Sequence, residues 1–183
     1  MEKIDIYSFN HLYRIYRNRL PSSIKNKIYS IGLDAVKQDS YALKYVPKEL
    51  RDYNMCITAV NQDGLALEFV PKELPEYRDM CIAAVKQDSY ALKDVPKKLR
   101  DYNICITAVN QNGLALMFVP EELPEYKDIC LVAVKQNGKA LMDVPKELRD
   151  YDICMAAVRQ NSSILRQFVP PELQSRIIEE LGL

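Results

Sequence analysis

Residues 52–74 read DYNMCITAVNQDGLALEFVPKEL, and this stretch decides the fold. Its core, A-V-x-Q, recurs six times, with the valine at 36, 60, 85, 109, 134 and 158. The steps between copies are 24, 25, 24, 25 and 24 residues. A fixed short period marks a stack of repeats, each too small to bury its apolar face alone. The alternation adds that the duplicated unit is a pair of repeats. Residues 36–84 and 85–133 align without a gap, and 39 of 49 positions match. Within a pair, one junction reads Leu50-Arg51-Asp52-Tyr53 and the other Leu74-Pro75-Glu76-Tyr77.

Tyr53, Cys56, Ile57 and Val60 fall at i, i+3, i+4 and i+7, which predicts a helix over 52–62 with Asp52 as its N-cap. Met55 and Ala59 widen the apolar arc until only Asn54, Thr58, Asn61 and Gln62 lie outside it. That width suits a helix with neighbours on several sides. The invariant Ala of each motif (35, 59, 84, 108, 133, 157) is expected to let adjacent helices approach closely. Asp63-Gly64 predicts the helix stop, through the tolerance of glycine for the left-handed conformation. A second, shorter helix is expected over 65–70, closed by Pro71, and then a proline-led turn over 71–74. No period-2 alternation persists, so no strands are expected.

The expected fold is all-α: an α-solenoid of about six short two-helix repeats of period 24/25, with atypical capping helices at both ends. It reads as one continuous domain, with an N-terminal capping region over 1–29, repeats over 30–173 and a C-terminal capping helix over 174–183. The N-terminal part predicts one longer helix over 3–19, with Ile6, Phe9, Tyr13, Tyr16 and Leu20 near one face. Near the other end, Val158 to Val169 spans eleven residues where the other copies have ten.

Net charge is zero over 183 residues, which argues against bulk electrostatic binding to nucleic acid. The longest apolar runs are six residues, such as 129–134, far short of a membrane span. The first residues lack the basic-then-apolar layout of a secretory signal. Cys56, Cys81, Cys105, Cys130 and Cys154 occupy one repeat position. Stacked equivalents lie about 8–10 Å apart, too far for a disulfide, and there is no C-x-x-C to hold zinc. The thiols are expected to be free core residues in a reducing, cytoplasmic compartment.

The unit D-Y-x-I-C-x-x-A-V-x-Q-N-G-x-A-L-x-x-V-P-x-E-L, best matched by residues 101–123 and 128–148, resembles a family of tandem repeats known as domain of unknown function 4116. The resemblance covers about residues 30–173. It implies an all-helical array without known activity, cofactor or catalytic residue. It also implies a role at a host–microbe interface, since such arrays occur in bacteria, intracellular ones included, and this admits delivery into a host cell as a secreted effector.

No catalytic, cofactor or metal site is expected. The one histidine, His11, falls in the atypical N-terminal segment, and carboxylates recur once per repeat where a catalytic pair should break the pattern. There is no nucleophile elbow, phosphate loop or zinc-protease motif. The six glutamines (38, 62, 87, 111, 136, 160) are expected to bond to loop backbone.

The exposed stripe is the candidate binding surface. Asn54-Thr58-Asn61 recurs as Asn103-Thr107-Asn110, and the other copies carry Asp79 with Lys86, Asp128 with Lys135, and Asp152 with Arg159, after Lys37 in the first. One column is thus largely basic and a parallel one largely acidic, a pattern suited to a protein or peptide segment. A solvated face left by duplication is the competing reading. The residue before V-P alternates as Tyr45, Phe69, Asp94, Phe118, Asp143 and Phe168. Either the aromatics are exposed anchors, or paired repeats pack differently. Residues 1–33 carry a net +4, with Arg14, Arg17, Arg19, Lys25 and Lys27 near Tyr13 and Tyr16. The expected function is therefore a non-enzymatic protein-binding scaffold, the other readings being a structural spacer or assembly module, or a weak binder of nucleic acid or an anionic surface through the basic N-terminal segment.

Overall fold

A computed structural model describes residues 13, 15, 16 and 18–183. Among these, every regular element is helical and none is a strand. Most of the longer helix expected over 3–19, with Ile6, Phe9, His11, Arg14 and Arg17, lies outside the described residues. The chain forms two compact units, Met1–Asp94 and Val95–Leu183.

In the first unit, α1 (Ser22–Gln38), α2 (Tyr53–Gln62) and α3 (Tyr77–Gln87) each lead into a 3₁₀ segment, at Ser40–Tyr45, Gly64–Phe69 and Ser89–Asp94. In the second unit, α4 (Tyr102–Gln111) and α5 (Tyr126–Gln136) lead into Gly113–Phe118 and Gly138–Asp143. There α6 (Tyr151–Gln160) leads through Ser162–Ile164 into the short α7 (Leu165–Phe168), and α8 (Pro171–Leu181) closes the described chain. Helices α1 to α3 pack side by side in the first unit and α4 to α6 in the second, and so do the 3₁₀ segments Ser40–Tyr45, Gly64–Phe69 and Ser89–Asp94 in the first and Gly113–Phe118 and Gly138–Asp143 in the second. We number the repeats 1 to 6 by the helices α1 to α6.

The core follows the apolar arc. Met55, Cys56, Ala59 and Val60 of α2 are fully buried, as are Met80, Cys81, Ala84 and Val85 of α3. Removing a valine or methionine side chain from water is worth about 1.5–3 kcal/mol, so each repeat contributes only beside its neighbours. Tyr53 departs from the expected arc: it is 41% exposed, because it stands in the first turn of α2, beyond the packed rows.

Three local expectations need correction. The second element is 3₁₀ rather than α-helical: Val70 N–H donates to Leu67 O, and Ala66 N–H to Asp63 O. Over six residues the two helix types place apolar side chains alike, so the sequence pattern does not separate them. Repeat 6, with its extra residue, gains an α-turn here, Val169 N–H donating to Leu165 O.

Gly64 is not left-handed either. The only described residue with positive φ is Gly182, at 66°, which ends α8. The stop of α2 is Asp63 in an extended conformation (φ −148°, ψ 116°), whose carboxylate then caps the 3₁₀ segment by accepting from Leu65 N–H. Glycine is needed for proximity: a β-carbon at Gly64 would collide with the Ala84 carbonyl oxygen of the next repeat, and one at Gly113 with that of Ala133. Finally, the closing helix begins at Pro171 rather than at 174, with proline in its first turn, where the missing N–H costs nothing.

The Phe/Asp alternation reflects two packings. Phe69, Asp94, Phe118, Asp143 and Phe168 are all half-buried, so the phenylalanines are not exposed anchors. The ring of Phe69 meets Tyr41 edge-on at 5.8 Å between centroids. In repeat 3, Tyr77 takes the place that Asp52 holds in repeat 2, and it is buried. Among the described residues its hydroxyl finds no oxygen or nitrogen partner and has only the weak Cys81 thiol beside it, with Asp94 close by.

Candidate binding surface

Polar side chains recur at fixed positions, and the fold uses some of them internally. The glutamines are the first group. Gln87 Nε2–H donates to Gln62 O at 3.0 Å, while its Oε1 accepts from Gly64 N–H at 2.6 Å. Gln136 makes the same pair of bonds, to Gln111 O and from Gly113 N–H. Gln62 donates to Val36 O and Lys37 O. As expected, these side chains bond to loop and helix-end backbone, and they span consecutive repeats.

Arginines form a second group that the sequence reading missed. Arg51 donates from Nε to Val46 O (2.9 Å), from Nη1 to Phe69 O (2.7 Å) and from Nη2 to Lys44 O (3.0 Å). Arg100 reaches Val95 O and Phe118 O, and Arg149 reaches Val144 O, Phe168 O and Met142 O. The planar five-donor guanidinium matches three divergent carbonyls, which an ammonium would not. Burial lowers the pKa of Arg51, with Cys56 and Glu49 acting against it. In repeat 6 the neutral Gln174 takes over one bond, donating to Val169 O at 2.9 Å. The available signal was the restriction of L-R-D to alternate junctions.

N-cap aspartates are the third group. Asp52, Asp101 and Asp150 accept from the backbone N–H three residues on. The preceding repeat adds to Asp52 and Asp150: Tyr29 Oη–H donates to Asp52 at 2.8 Å, and Lys127 Nζ lies 2.7 Å from Asp150. Burial alone would raise the Asp150 carboxyl, but the Lys127 ammonium and the amides of Ile153 and Asp152 hold it below its ordinary value.

What remains outside is the predicted stripe. In the first unit Lys37, Asn54, Asn61, Asp79 and Lys86 are exposed, with Thr58 half-buried. In the second, Asn103, Asn110, Asp128, Lys135, Asp152 and Arg159 are exposed, with Thr107 half-buried. The two threonine hydroxyls are occupied locally, donating at 2.7 Å to Asn54 O and Asn103 O. Lys37 lies 3.9 Å from Asp34. Arg159 lies 3.8 Å from Glu180 of α8, which also accepts from the Tyr151 hydroxyl, and Arg176 stacks over the Tyr151 ring. At Arg159 the closing helix therefore already occupies the stripe. By contrast, the side chains of Asn54, Asn61, Asn103 and Asn110 make no hydrogen bond within the described structure.

Other candidate chemistry is sparse. All five cysteines are buried and free. Burial pushes the thiols of Cys56 and Cys105 up to about 12, and those of Cys81, Cys130 and Cys154 up to about 11, which makes them poor nucleophiles. Among the described residues no group of three or more His, Cys, Asp or Glu side chains is placed to hold a metal ion, and no helix is long and apolar enough to cross a membrane. Of the basic N-terminal group, Arg19 and Lys27 are exposed and Lys25 half-buried, while Tyr13 is buried and Tyr16 exposed.

Comparison with known families gives a match along most of the repeats. The model of DUF4116, a domain of unknown function, matches at residues 33–75, 52–100, 77–124, 101–149 and 126–174. No curated protein and no solved structure matches the chain.

Proposed function

We propose that this chain, which belongs to the DUF4116 family of tandem repeats, is a non-enzymatic scaffold that binds a protein segment along its asparagine-bearing stripe. The observation that carries the reading is a contrast in how recurring polar residues are used. Glutamines, arginines and capping aspartates are spent on backbone groups of the fold. The asparagines at 54, 61, 103 and 110 are exposed and hold both donor and acceptor capacity in reserve. Lys135 and Asp128 flank them in the second unit, and Asp79 in the first, so a segment of mixed charge suits the face.

The test compares the native chain with a variant carrying Ala at all four asparagines. Each is used to capture partners from bacterial and eukaryotic lysates, with and without nuclease. A protein held by the native chain and lost by the variant, at unchanged melting temperature, supports the reading. Equal capture by both sinks the stripe as the site. Capture that disappears with nuclease points instead to nucleic acid and the basic N-terminal segment, and no specific partner points to a spacer.

A further inference from the structure

The two copies of the duplicated pair differ in chemistry chiefly at one place. Of ten differing positions between 36–84 and 85–133, six are close swaps such as Met55 for Ile104 or Arg78 for Lys127. The four radical changes are Tyr45 to Asp94, Glu49 to Lys98, Glu68 to Met117 and Lys72 to Glu121. Three of them fall on or beside a single cleft of about 450 Å³ in the second unit.

One side of this cleft is the 3₁₀ turn Lys97–Leu99 with Arg100, and the other is the stretch from Met117 through Glu122. Arg100 ties the two together by donating to Val95 O and Phe118 O. The first side, Lys97-Lys98-Leu99-Arg100, carries three positive charges where Lys48-Glu49-Leu50-Arg51 carries a net one. The second, with Glu121, Glu122 and Glu125, carries three negative charges where Lys72, Glu73 and Glu76 carry a net one. Between them Met117 is 58% exposed, and Met142, its equivalent in the adjoining repeat, is 51% exposed. In the first unit, Lys48 Nζ donates to Glu73 at 3.0 Å across the corresponding place, whereas their counterparts Lys97 and Glu122 form no ion pair. In the second copy this place is an open, apolar-floored cleft with one basic and one acidic side.

We propose that this cleft docks a linear peptide in which an apolar side chain stands between an acidic residue and a basic one. The apolar group rests on Met117 and Pro120, where the flexible thioether adapts to its shape. The acidic residue meets Lys97 and Lys98, and the basic one meets Glu121 and Glu122. Uniformly charged segments are repelled by one side or the other, which gives selectivity as well as attraction. The proposal rests on the reading of the chain as a protein-binding scaffold but assigns a surface separate from the asparagine stripe.

The test is a random heptapeptide display screen against the full chain, run in parallel on the Lys98→Glu/Met117→Glu/Glu121→Lys variant, which carries the first copy's residues. The native chain is expected to enrich peptides with an apolar residue between opposite charges. A fluorescein-labelled peptide of the enriched sequence should then bind at least tenfold more weakly to the triple variant, and within twofold of native to the four-asparagine variant. No enriched pattern, a uniformly charged pattern, or the same enrichment on the triple variant would overturn the proposal. Loss of the peptide on the four-asparagine variant instead would also overturn it, while supporting the stripe. Should the triple variant fail to fold, Glu121→Lys alone answers the question: the preference for a basic residue must weaken.

Discussion

Where repeat 1 meets repeat 2, and repeat 5 meets repeat 6, a guanidinium gathers carbonyls from both sides and an aspartate caps the incoming helix, as at Arg51 with Asp52 and at Arg149 with Asp150. Where repeat 2 meets repeat 3, and repeat 4 meets repeat 5, neither device is present. A neutral glutamine there grips a glycine amide and a helix-end carbonyl, and a buried tyrosine stands in the capping position. The first joint adds charge-assisted bonds, each worth about 1.5–3 kcal/mol, to the neutral bonds and close backbone approach found at both, while the second has only neutral bonds of about 1 kcal/mol and that approach. The arginine–aspartate pair and the buried tyrosine are each confined to one kind of joint, whereas glutamine bonds and close glycine approach occur at both: Gln62 reaches Val36 O, and a β-carbon at Gly138 would meet the Ala157 carbonyl oxygen. This is a physical reason for a duplication period of 49 residues rather than 24 or 25.

The largest expected effect breaks the arginine joint. Arg51→Ala and Arg149→Ala should each cost about 3 kcal/mol, since carbonyls such as those of Val46 and Phe69 lose a charged donor in part-buried surroundings. Urea denaturation measures the loss, and hydrogen exchange should locate the opening near Phe69 or Phe168. A cost below about 1 kcal/mol would mean that water replaces the guanidinium readily.

Next comes the glutamine joint. Gly64→Ala and Gly113→Ala should each cost about 2 kcal/mol, because the new methyl meets a fixed carbonyl rather than a mobile side chain. Ser40 stands at the equivalent position of repeat 1 and already carries a β-carbon, so Ser40→Gly should cost less than about 1 kcal/mol. A Gly64→Ala variant as stable as the native chain would show that the backbone yields and that proximity does not hold this glycine in place. Smaller still, Tyr77→Phe should change stability by no more than about 0.5 kcal/mol, since the buried hydroxyl it removes faces only the weak Cys81 thiol.

These joints also mark what the sequence discloses. The period, the helices, the Asp52 cap, the proline stops and the buried cysteines follow from spacing, because burial acts on every copy alike. The exposed stripe follows for the same reason. The arginine bonds were hidden because an arginine on a polar turn looks like any solvated charge until the carbonyls around it are placed. Tyr77 was hidden by a shift of one residue: the shared tyrosine of D-Y and E-Y suggests that Tyr53 and Tyr77 correspond, whereas register from A-V sets Tyr77 against Asp52 and Arg78 against Tyr53. The glycine at 64 was placed correctly but for the wrong reason, since its conflict lies with a residue twenty positions away.

The smallest effect separates the joints by sign. Asp150, at an arginine joint, has a folded pKa below its ordinary value despite burial, through Lys127 and backbone amides. Its contribution is therefore complete above the unfolded carboxylate value of about 3.9 and is lost as pH falls through the folded pKa. Asp143 lies near Tyr126, which follows a glutamine joint, and burial raises its pKa. The folded state binds that proton more tightly than the unfolded chain does, so acidification through this range adds stability. Lys127→Ala should accordingly lower the melting temperature at pH 7, by an amount that shrinks towards pH 2. Asp143→Asn should raise it at pH 7, by an amount that also shrinks with acid. Two shifts of the same sign at pH 7 would mean that the joints do not differ electrostatically. Opposite shifts, both fading with acid, would tie each joint to its own carboxylate.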